Sequence, residues 1–361
     1  MKLVLSQEQQ ELRAAVRAFL AAASPLPKVR DGYDREVYAR LNGELGLSGL
    51  IVPEEYGGAG AGFAELAVAL EETGAALLPG PFLATVFATI ALTRVPDKEL
   101  LTGIAEGRVV ATLAQPPADS DVTASSGSPG SSRDSGELGE AGGGVTVRGT
   151  LAQVLGGMEA DVLVVPALTG DGVVMTAVDL TGPGVTRTAL ETLDLTRGQA
   201  QVTLDDAPAR VIGPAAPGVG DRLAVALAAE QLGVLRAALD AIVAYAKIRV
   251  AFGRYIGSYQ GVKHKLADMH CKLEQAESIV RFAAWAADES PDELPAAAAL
   301  AQAYVGRACF EVARDHLLLY GGIGYTWEHD AHLFYKRAKA DEVLLGPPRI
   351  HRARLADLLE L

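Results

Sequence analysis

The sequence predicts a mainly α chain with a middle β-domain and a C-terminal four-helix bundle. Three observations carry this. Residues 1–110 and 214–361 repeat apolar side chains at helical spacing. Residues 111–213 break into short β-branched runs bounded by Gly, Pro or Asp, which predicts a small barrel or sandwich. The last part offers three long helical segments and a shorter one joined by short connections, the pattern of an antiparallel bundle.

The elements follow in order. Ser6 and Gln9 form a capping box ahead of a periodic segment through Leu20, so the first helix starts there. Leu50 to Gly58 reads as an extended stretch running into a turn, and Glu65 to Leu78 as a second clear helix. Strands are expected at Val109–Ala114, Val145–Val147, Val162–Val165, Val173–Val178 and Ala200–Leu204. Residues 117–144 are rich in Ser, Gly and Asp and read as a mobile loop. A helix from about Asp221 to Val250 follows. The next carries Val262, Leu266, Met269, Leu273, Ala276, Val280 and Ala283 at alternating spacings of four and three, which puts one apolar stripe on a long helix. A third helix spans about Ala296 to Leu319, a fourth starts near His329, and a short one ends the chain.

Composition excludes several classes. The chain has 361 residues, 49% of them hydrophobic, which is ample for a large core. Its net charge of −13 repels a phosphate backbone, so nucleic acid is not an expected partner. No apolar run reaches the roughly 18 residues of a membrane helix, and the N-terminus turns polar after Leu5, so a cytoplasmic protein without a leader is expected. Cys271 and Cys309 are far apart and form no CxxC pair, against a thiolate zinc site or a disulfide scaffold. Glu328, His329 and His332 could share a helical face, but there is no H-E-x-x-H, and no Glu-x-x-His pair of a di-iron bundle, so no metal is expected. G-x-S-x-G is also missing, which leaves a serine hydrolase of the α/β type unsupported.

Two segments hold the chemistry. Arg249-Val250-Ala251-Phe252-Gly253-Arg254-Tyr255-Ile256-Gly257-Ser258-Tyr259-Gln260 lies between two long helices. It reads either as a plain connection with solvated arginines or as a guanidinium for a pyrophosphate, Phe252 for a flat ring and Gln260 for a base edge. Gly321-Gly322-Ile323-Gly324-Tyr325-Thr326 follows the third bundle helix. It reads either as a helix C-cap with a turn or as backbone that a ligand approaches closely. No strand precedes it, so it is not a dinucleotide fingerprint, and Gly58-Ala59-Gly60-Ala61-Gly62 misses that spacing as well.

Together, the helical–β–helical order, the Arg-x-x-Phe-Gly segment with Gln260 downstream, and Gly-Gly-Ile-Gly-Tyr-Thr ahead of Lys336-Arg337-Ala338-Lys339 resemble the acyl-CoA dehydrogenase family; Pro53-Glu54-Glu55-Tyr56-Gly57-Gly58 fits the same pattern. The resemblance covers nearly the whole chain. It implies an acyl-CoA dehydrogenase-like fold in three domains (1–110, 111–213 and 214–361), assembly as a tetramer, and FAD between subunits. Arg249 and Phe252 would face a neighbour's FAD, with Gln260 at the adenine end. Ile256, Tyr259, Gly321, Gly322 and Gly324 would line the same cofactor. The implied reaction is α,β-dehydrogenation of an acyl-CoA thioester, in which a carboxylate removes the α-proton, a hydride leaves the β-carbon for the flavin, and an electron-transfer acceptor then reoxidises it.

The sequence departs from that pattern in an organised way. The usual base stands before a Gly after the Lys-Arg-Ala-Lys segment; here Leu345 precedes Gly346, and a leucine cannot take a proton. Members that carry their base near the start of the first bundle helix would match Leu223, with Asp221 two residues off. Glu230, deeper in that helix, reads as a buried structural carboxylate or a displaced base. The flavin-contacting Thr/Ser-Glu…Gly-Ser-Asp segment is replaced by Gln115-Pro116-Pro117-Ala118-Asp119-Ser120-Asp121, and the Trp-Ile-Thr strand by Gly149-Thr150-Leu151-Ala152-Gln153-Val154-Leu155. The pattern resembles the base-lacking partner subunit of actinobacterial α2β2 acyl-CoA dehydrogenases, several of which act on steroid-derived CoA esters. Its rivals are a self-sufficient homo-oligomer using Glu230 or Asp221, a non-catalytic acyl-CoA-binding or scaffold protein, and a flavin oxidase or monooxygenase on the same fold.

Overall fold

The computed structural model describes residues 3–114, 122–125 and 144–361. The first region is helical: α1 (Gln7–Ala23), α2 (Arg35–Leu45), α3 (Phe63–Ala75), α4 (Phe82–Arg94) and α5 (Lys98–Ala105). The Ser6–Gln9 capping box closes α1 as expected, and Asp34 and Asp97 cap α2 and α5 through their carboxylates. The cap of α3 comes from elsewhere: Asp288, near the end of a bundle helix, accepts from the backbone N–H groups of Phe63 (2.8 Å) and Ala64 (3.2 Å). Leu50 to Gly58 is not an extended stretch. A 3-10 turn, Leu47–Gly49, precedes it, and a second, Glu54–Tyr56, lies within it, ended by Gly57 at a left-handed φ of 85°, while Gly58 packs so tightly on Val52 that a Cβ would collide with its carbonyl.

The middle region contains β1 (Ala111–Leu113), β2 (Thr123–Ser125), β3 (Gly144–Leu155), β4 (Val162–Thr169), β5 (Gly172–Asp179), β6 (Val185–Ala189) and β7 (Gln199–Pro214). Strand pairing closes a ring: β4 to β5, β5 to β7, β7 to β3, β3 to β2, and β2 back to β4. The result is a small barrel rather than a sandwich. The long strand β7 carries two partners on one edge, β6 along its first half and β5 along its second. Asp206, at φ 51°, lies between the two halves. The sequence assigned 117–144 to a loop. Within it β2 pairs antiparallel with β3 (Thr123↔Arg148) and parallel with β4 (Thr123↔Leu168), and that last pairing closes the ring. The rest of that loop assignment, and Gln115 to Asp121, lie outside the described residues.

The third region holds α6 (Val219–Ile248), α7 (Gln260–Glu289), α8 (Leu294–Tyr320), α9 (Ala331–Asp341) and α10 (Pro348–Leu358), with a two-strand hairpin, β8 (Val250–Ala251) and β9 (Arg254–Tyr255), between α6 and α7. The stripe expected on α7 is buried from Met269 to Ala283, and its first two members, Val262 and Leu266, are half-buried. The helices α9 and α10 complete the bundle against α8.

One continuous apolar core runs through all three regions. Two glycines set the tightest crossing, where α3 meets α6. A Cβ on Gly74 would strike the Glu230 carbonyl, and a Cβ on Gly233 would strike the Glu71 carbonyl. Backbone thus lies on backbone, which fixes the first domain to the bundle. Polar groups tie the same junction. Glu71, fully buried, is faced by Arg13 (2.8 Å), Arg236 (2.5 Å) and Arg281. Buried carboxylates need such partners, since isolated burial of a charge costs several kcal/mol.

Candidate functional site

The helices α6 and α8 end at the same end of the bundle: the ring of Tyr245, in the last turn of α6, lies 4.5 Å from that of Tyr320, the last residue of α8. The arginine hairpin and the glycine turn, 61 residues apart between Gln260 and Gly321, are thereby brought to one place.

Each residue expected there has a definite setting. Arg249 ends α6 in an extended conformation, is exposed, and makes no ion pair among the described residues. Phe252 and Gly253 form the tip of the hairpin at φ 51° and 78°, the pair of left-handed conformations a tight two-residue turn requires. A phenylalanine is poorly suited to that conformation, and its ring is 98% exposed. The hairpin tip thus presents a bare aromatic ring to solvent from an unfavourable backbone conformation. Ile256 and Tyr259 have their contacts within the hairpin. The Ile256 N–H donates to the Arg249 carbonyl (2.8 Å), and the Tyr259 hydroxyl donates to the Ala251 carbonyl (2.9 Å) while Arg254 lies 3.8 Å over its ring. Gln260 is exposed and hydrogen-bonds His264 one turn on (2.7 Å).

The glycines divide. Gly321, at φ 68°, and Gly322 are exposed, and a Cβ on either would meet no atom of the described residues within 4 Å. Gly324 is buried, and a Cβ there would lie 2.7 Å from the Leu317 carbonyl and 2.9 Å from Tyr320 Cβ. Internal packing therefore demands glycine at Gly324, whereas open space lies over Gly321 and Gly322. An exposed guanidinium without an ion pair among the described residues, an exposed ring and open glycine backbone fit the pyrophosphate and rings of a flavin dinucleotide approaching from outside the chain.

At the other end of α6 lie the positions where a base could stand. Leu345 is half-buried, and its carbonyl accepts from His351 Nε2 (3.0 Å). Asp221 is buried, pairs with Arg354, and is close enough to act on His351. Burial lowers the His351 pKa, with Arg354 adding to the effect and the Leu345 and Gly346 carbonyls and Asp221 opposing it. The positions that the resemblance gives for a base thus lie around His351: Leu345 at one, and at the other Asp221, two residues from Leu223 and tied to Arg354.

Glu230 belongs elsewhere. Its Oε2 accepts from Arg197 (2.5 Å) and its Oε1 from Arg337 (3.1 Å), and its side chain is 5% exposed. Arg337 also reaches Asp194 (2.6 Å), Thr196 and the Leu78 carbonyl (3.3 Å), while Arg197 reaches Asp341. Three carboxylates and two guanidiniums from the barrel, α6 and α9 form one buried cluster. A carboxylate with both oxygens taken by arginines is a structural staple that holds the barrel and α9 to α6. Nothing in the local sequence announced this cluster, because its ion pairs join residues 33 to 144 positions apart.

Beside the cluster, a cleft of about 500 Å³ separates the barrel from α9, lined by Gln153, Leu193, Arg197, Lys339, Val343 and Leu344 among others. Gln153 is exposed on β3 where the family pattern has its Trp-Ile-Thr strand. Both tryptophans are far along the chain, Trp285 on α7 and Trp327 after the glycine turn. Glu328, His329 and His332 do not converge: His329 Nδ1 accepts from the Ala331 N–H (3.1 Å), and His332 lies edge-on to Trp327.

Comparison with known proteins decides the family. Residues 6–97 match the acyl-CoA dehydrogenase N-terminal domain, and residues 221–359 match the acyl-CoA dehydrogenase C-terminal domain. The chain belongs to the acyl-CoA dehydrogenase family. It is 33% identical to the acyl-CoA dehydrogenase IpdE2 of Mycolicibacterium smegmatis, over 97% of this chain and 98% of that one. Among solved structures it resembles a variant of the Tcur3481–Tcur3483 steroid ACAD (30% identity, TM-score 0.86, 98% of each chain). It also resembles the ChsE4–ChsE5 complex of Mycobacterium tuberculosis (27% identity, TM-score 0.86, 100% of this chain and 99% of that one). It is therefore an acyl-CoA dehydrogenase-type flavoprotein oxidoreductase with the family fold. Among the described residues no helix is long and apolar enough to cross a membrane.

Proposed function

We propose that this chain is the base-lacking subunit of a hetero-oligomeric, FAD-dependent acyl-CoA dehydrogenase, and that it completes a flavin site whose base and barrel contacts come from a homologous partner. One observation carries the proposal: the end of the bundle that faces outward is built and open, while the place for a base holds Leu345 beside an Asp221 neutralised by Arg354. FAD, when bound, supplies the acceptor for the hydride leaving the β-carbon. This chain's part is binding. Arg249 offers charge to a pyrophosphate, Phe252 an apolar plane, and Gly321 and Gly322 an approach free of side chains.

The arrangement is α2β2 in this reading, with one productive flavin per pair of chains and an electron-transfer protein as acceptor. The substrate class is a steroid-derived acyl-CoA thioester, supported by the likeness to the steroid ACAD and to IpdE2. Cytoplasmic placement accords with a soluble substrate and acceptor.

A second reading, a homo-oligomer that uses Asp221, has an observation in its favour: His351 links the Leu345 carbonyl to the vicinity of Asp221, so that carboxylate stands near the family's base position. Turnover by the partner-bound complex separates the two. Asp221→Asn leaves the dehydrogenation rate of the complex unchanged if the partner supplies the base. A drop of a hundredfold or more with flavin retained would assign the base to Asp221 instead.

A further inference from the structure

The arginine hairpin and the glycine turn leave the same end of the bundle, yet among the described residues no hydrogen bond joins them. A stack of rings does. Tyr245 stands one turn before Arg249, and its carbonyl accepts from the Arg249 N–H (2.9 Å). Its ring packs 4.5 Å from that of Tyr320 at 44°. Tyr320 immediately precedes Gly321, and its Cβ would lie 2.9 Å from a Cβ on Gly324, so it touches both ends of the glycine turn. Its other neighbours are His329, 4.1 Å away in the following turn, and His316, edge-on at 4.9 Å. His316 is 1% exposed with Nδ1 unpartnered among the described residues, and burial drives its pKa down to about 3, so it remains a neutral ring against Tyr320.

We infer that Tyr320 is a positioning residue for the flavin: its ring joins the Arg249 hairpin to the glycine turn and sets the spacing at which the two grip one cofactor. The inference rests on the lending role proposed above and deepens it. The physical reason is geometric. Two loops that must hold one rigid ligand lose affinity when their separation fluctuates, because each binding event must then order them again. Aromatic contacts on three sides remove that freedom before the ligand arrives. The ring makes these contacts, so the hydroxyl is dispensable.

The test is titration of FAD into the flavin-stripped complex of this chain with its homologous partner, read by quenching of flavin fluorescence, for Tyr320→Leu, Tyr320→Phe and Arg249→Ala. Tyr320→Leu is expected to weaken FAD at least tenfold while the complex still assembles on size exclusion; Tyr320→Phe is expected to remain within twofold of the parent. Arg249→Ala weakens FAD at least tenfold whether or not Tyr320 matters. If Arg249→Ala does so and Tyr320→Leu does not, the positioning role is wrong and the lending role stands. If Arg249→Ala leaves affinity unchanged, the lending role itself falls. Loss on Tyr320→Phe equal to that on Tyr320→Leu would also overturn the inference, since the hydroxyl would then be the active group. Should Tyr320→Leu fail to fold, Tyr245→Leu is expected to show the same weakening. Trypsin would also cut Tyr245→Leu faster after Arg249 or Arg254 than the parent, and unchanged affinity and cleavage in that variant would refute the stack.

Discussion

Replacing Asp341 by asparagine tests the buried cluster that joins barrel and bundle. Asp341 is fully buried at the end of α9, with one oxygen on Arg197 and the other, Oδ2, without a hydrogen-bond partner among the described residues. The groups that face it are Arg197 and Asp194 from the segment before β7, Glu230 from α6, Arg337 on its own helix and Cys309 from α8, whose thiol burial pushes up. Two cations cannot neutralise three carboxylates. Burial, then the neighbouring Glu230 and Asp194, raise the Asp341 carboxyl to about 7 from an ordinary 3.8, against the pull of Arg197 and Arg337. The folded chain thus holds one proton more than the unfolded chain between those two pH values. Its favourable contribution is complete below 3.8, declines as pH rises, and is gone above about 7. From pH 5.5 to 8.5 that decline amounts to about 2 kcal/mol at about 1.4 kcal/mol per pH unit. Asparagine at this position carries no charge at any pH. Urea unfolding across that range is therefore expected to show Asp341→Asn gaining about 2 kcal/mol on the parent as pH rises. Parallel curves, or a difference that shrinks toward high pH, would refute the reasoning.

Three further outcomes follow from the same structure. Gly233→Ala puts a methyl into the Glu71 carbonyl where neither backbone can yield, so a loss of about 3 kcal/mol or more is expected, read as insolubility or a large fall in Tm. Glu71→Gln removes the anion among Arg13, Arg236 and Arg281 and is expected to cost about 3–5 kcal/mol in denaturant unfolding; a change below about 1 kcal/mol would show that the arginines find other partners. Phe252→Asn suits the left-handed tip better and is expected to raise the stability of the isolated chain by about 1 kcal/mol while lowering FAD retention in the complex. A gain in stability with unchanged FAD retention would remove Phe252 from the flavin surface.

Much of this architecture was legible in the sequence because it is local. The Ser6–Gln9 box, the stripe from Val262 to Ala283 and the β-branched runs of β4 and β5 each report on neighbours a few residues away. The arginine hairpin and glycine turn were legible as types of chemistry. What escaped depends on distant pairing. The strand β2 is three residues in a Ser/Gly-rich setting, and only its ladder with Arg148 and Leu168 makes it a strand. Arg197 lies far in sequence from Arg337 and Asp341, and only folding buries the three together. Gly74 and Gly233 look like weak points of helices, yet they are the contact between two domains. Gly324 looked like part of a ligand loop because its neighbours are glycines, and only the position of Leu317 and Tyr320 shows that it faces inward.

The account's central claim is that this chain completes a flavin site in a partner and does not own one. Counting FAD by visible absorbance, first in the isolated chain and then in its co-purified complex with a homologous subunit, tests that claim most directly. The expected result is a colourless isolated chain and a yellow complex with one FAD for each pair of chains. An isolated chain carrying close to one FAD per polypeptide, bleached by an acyl-CoA without any partner, would contradict it.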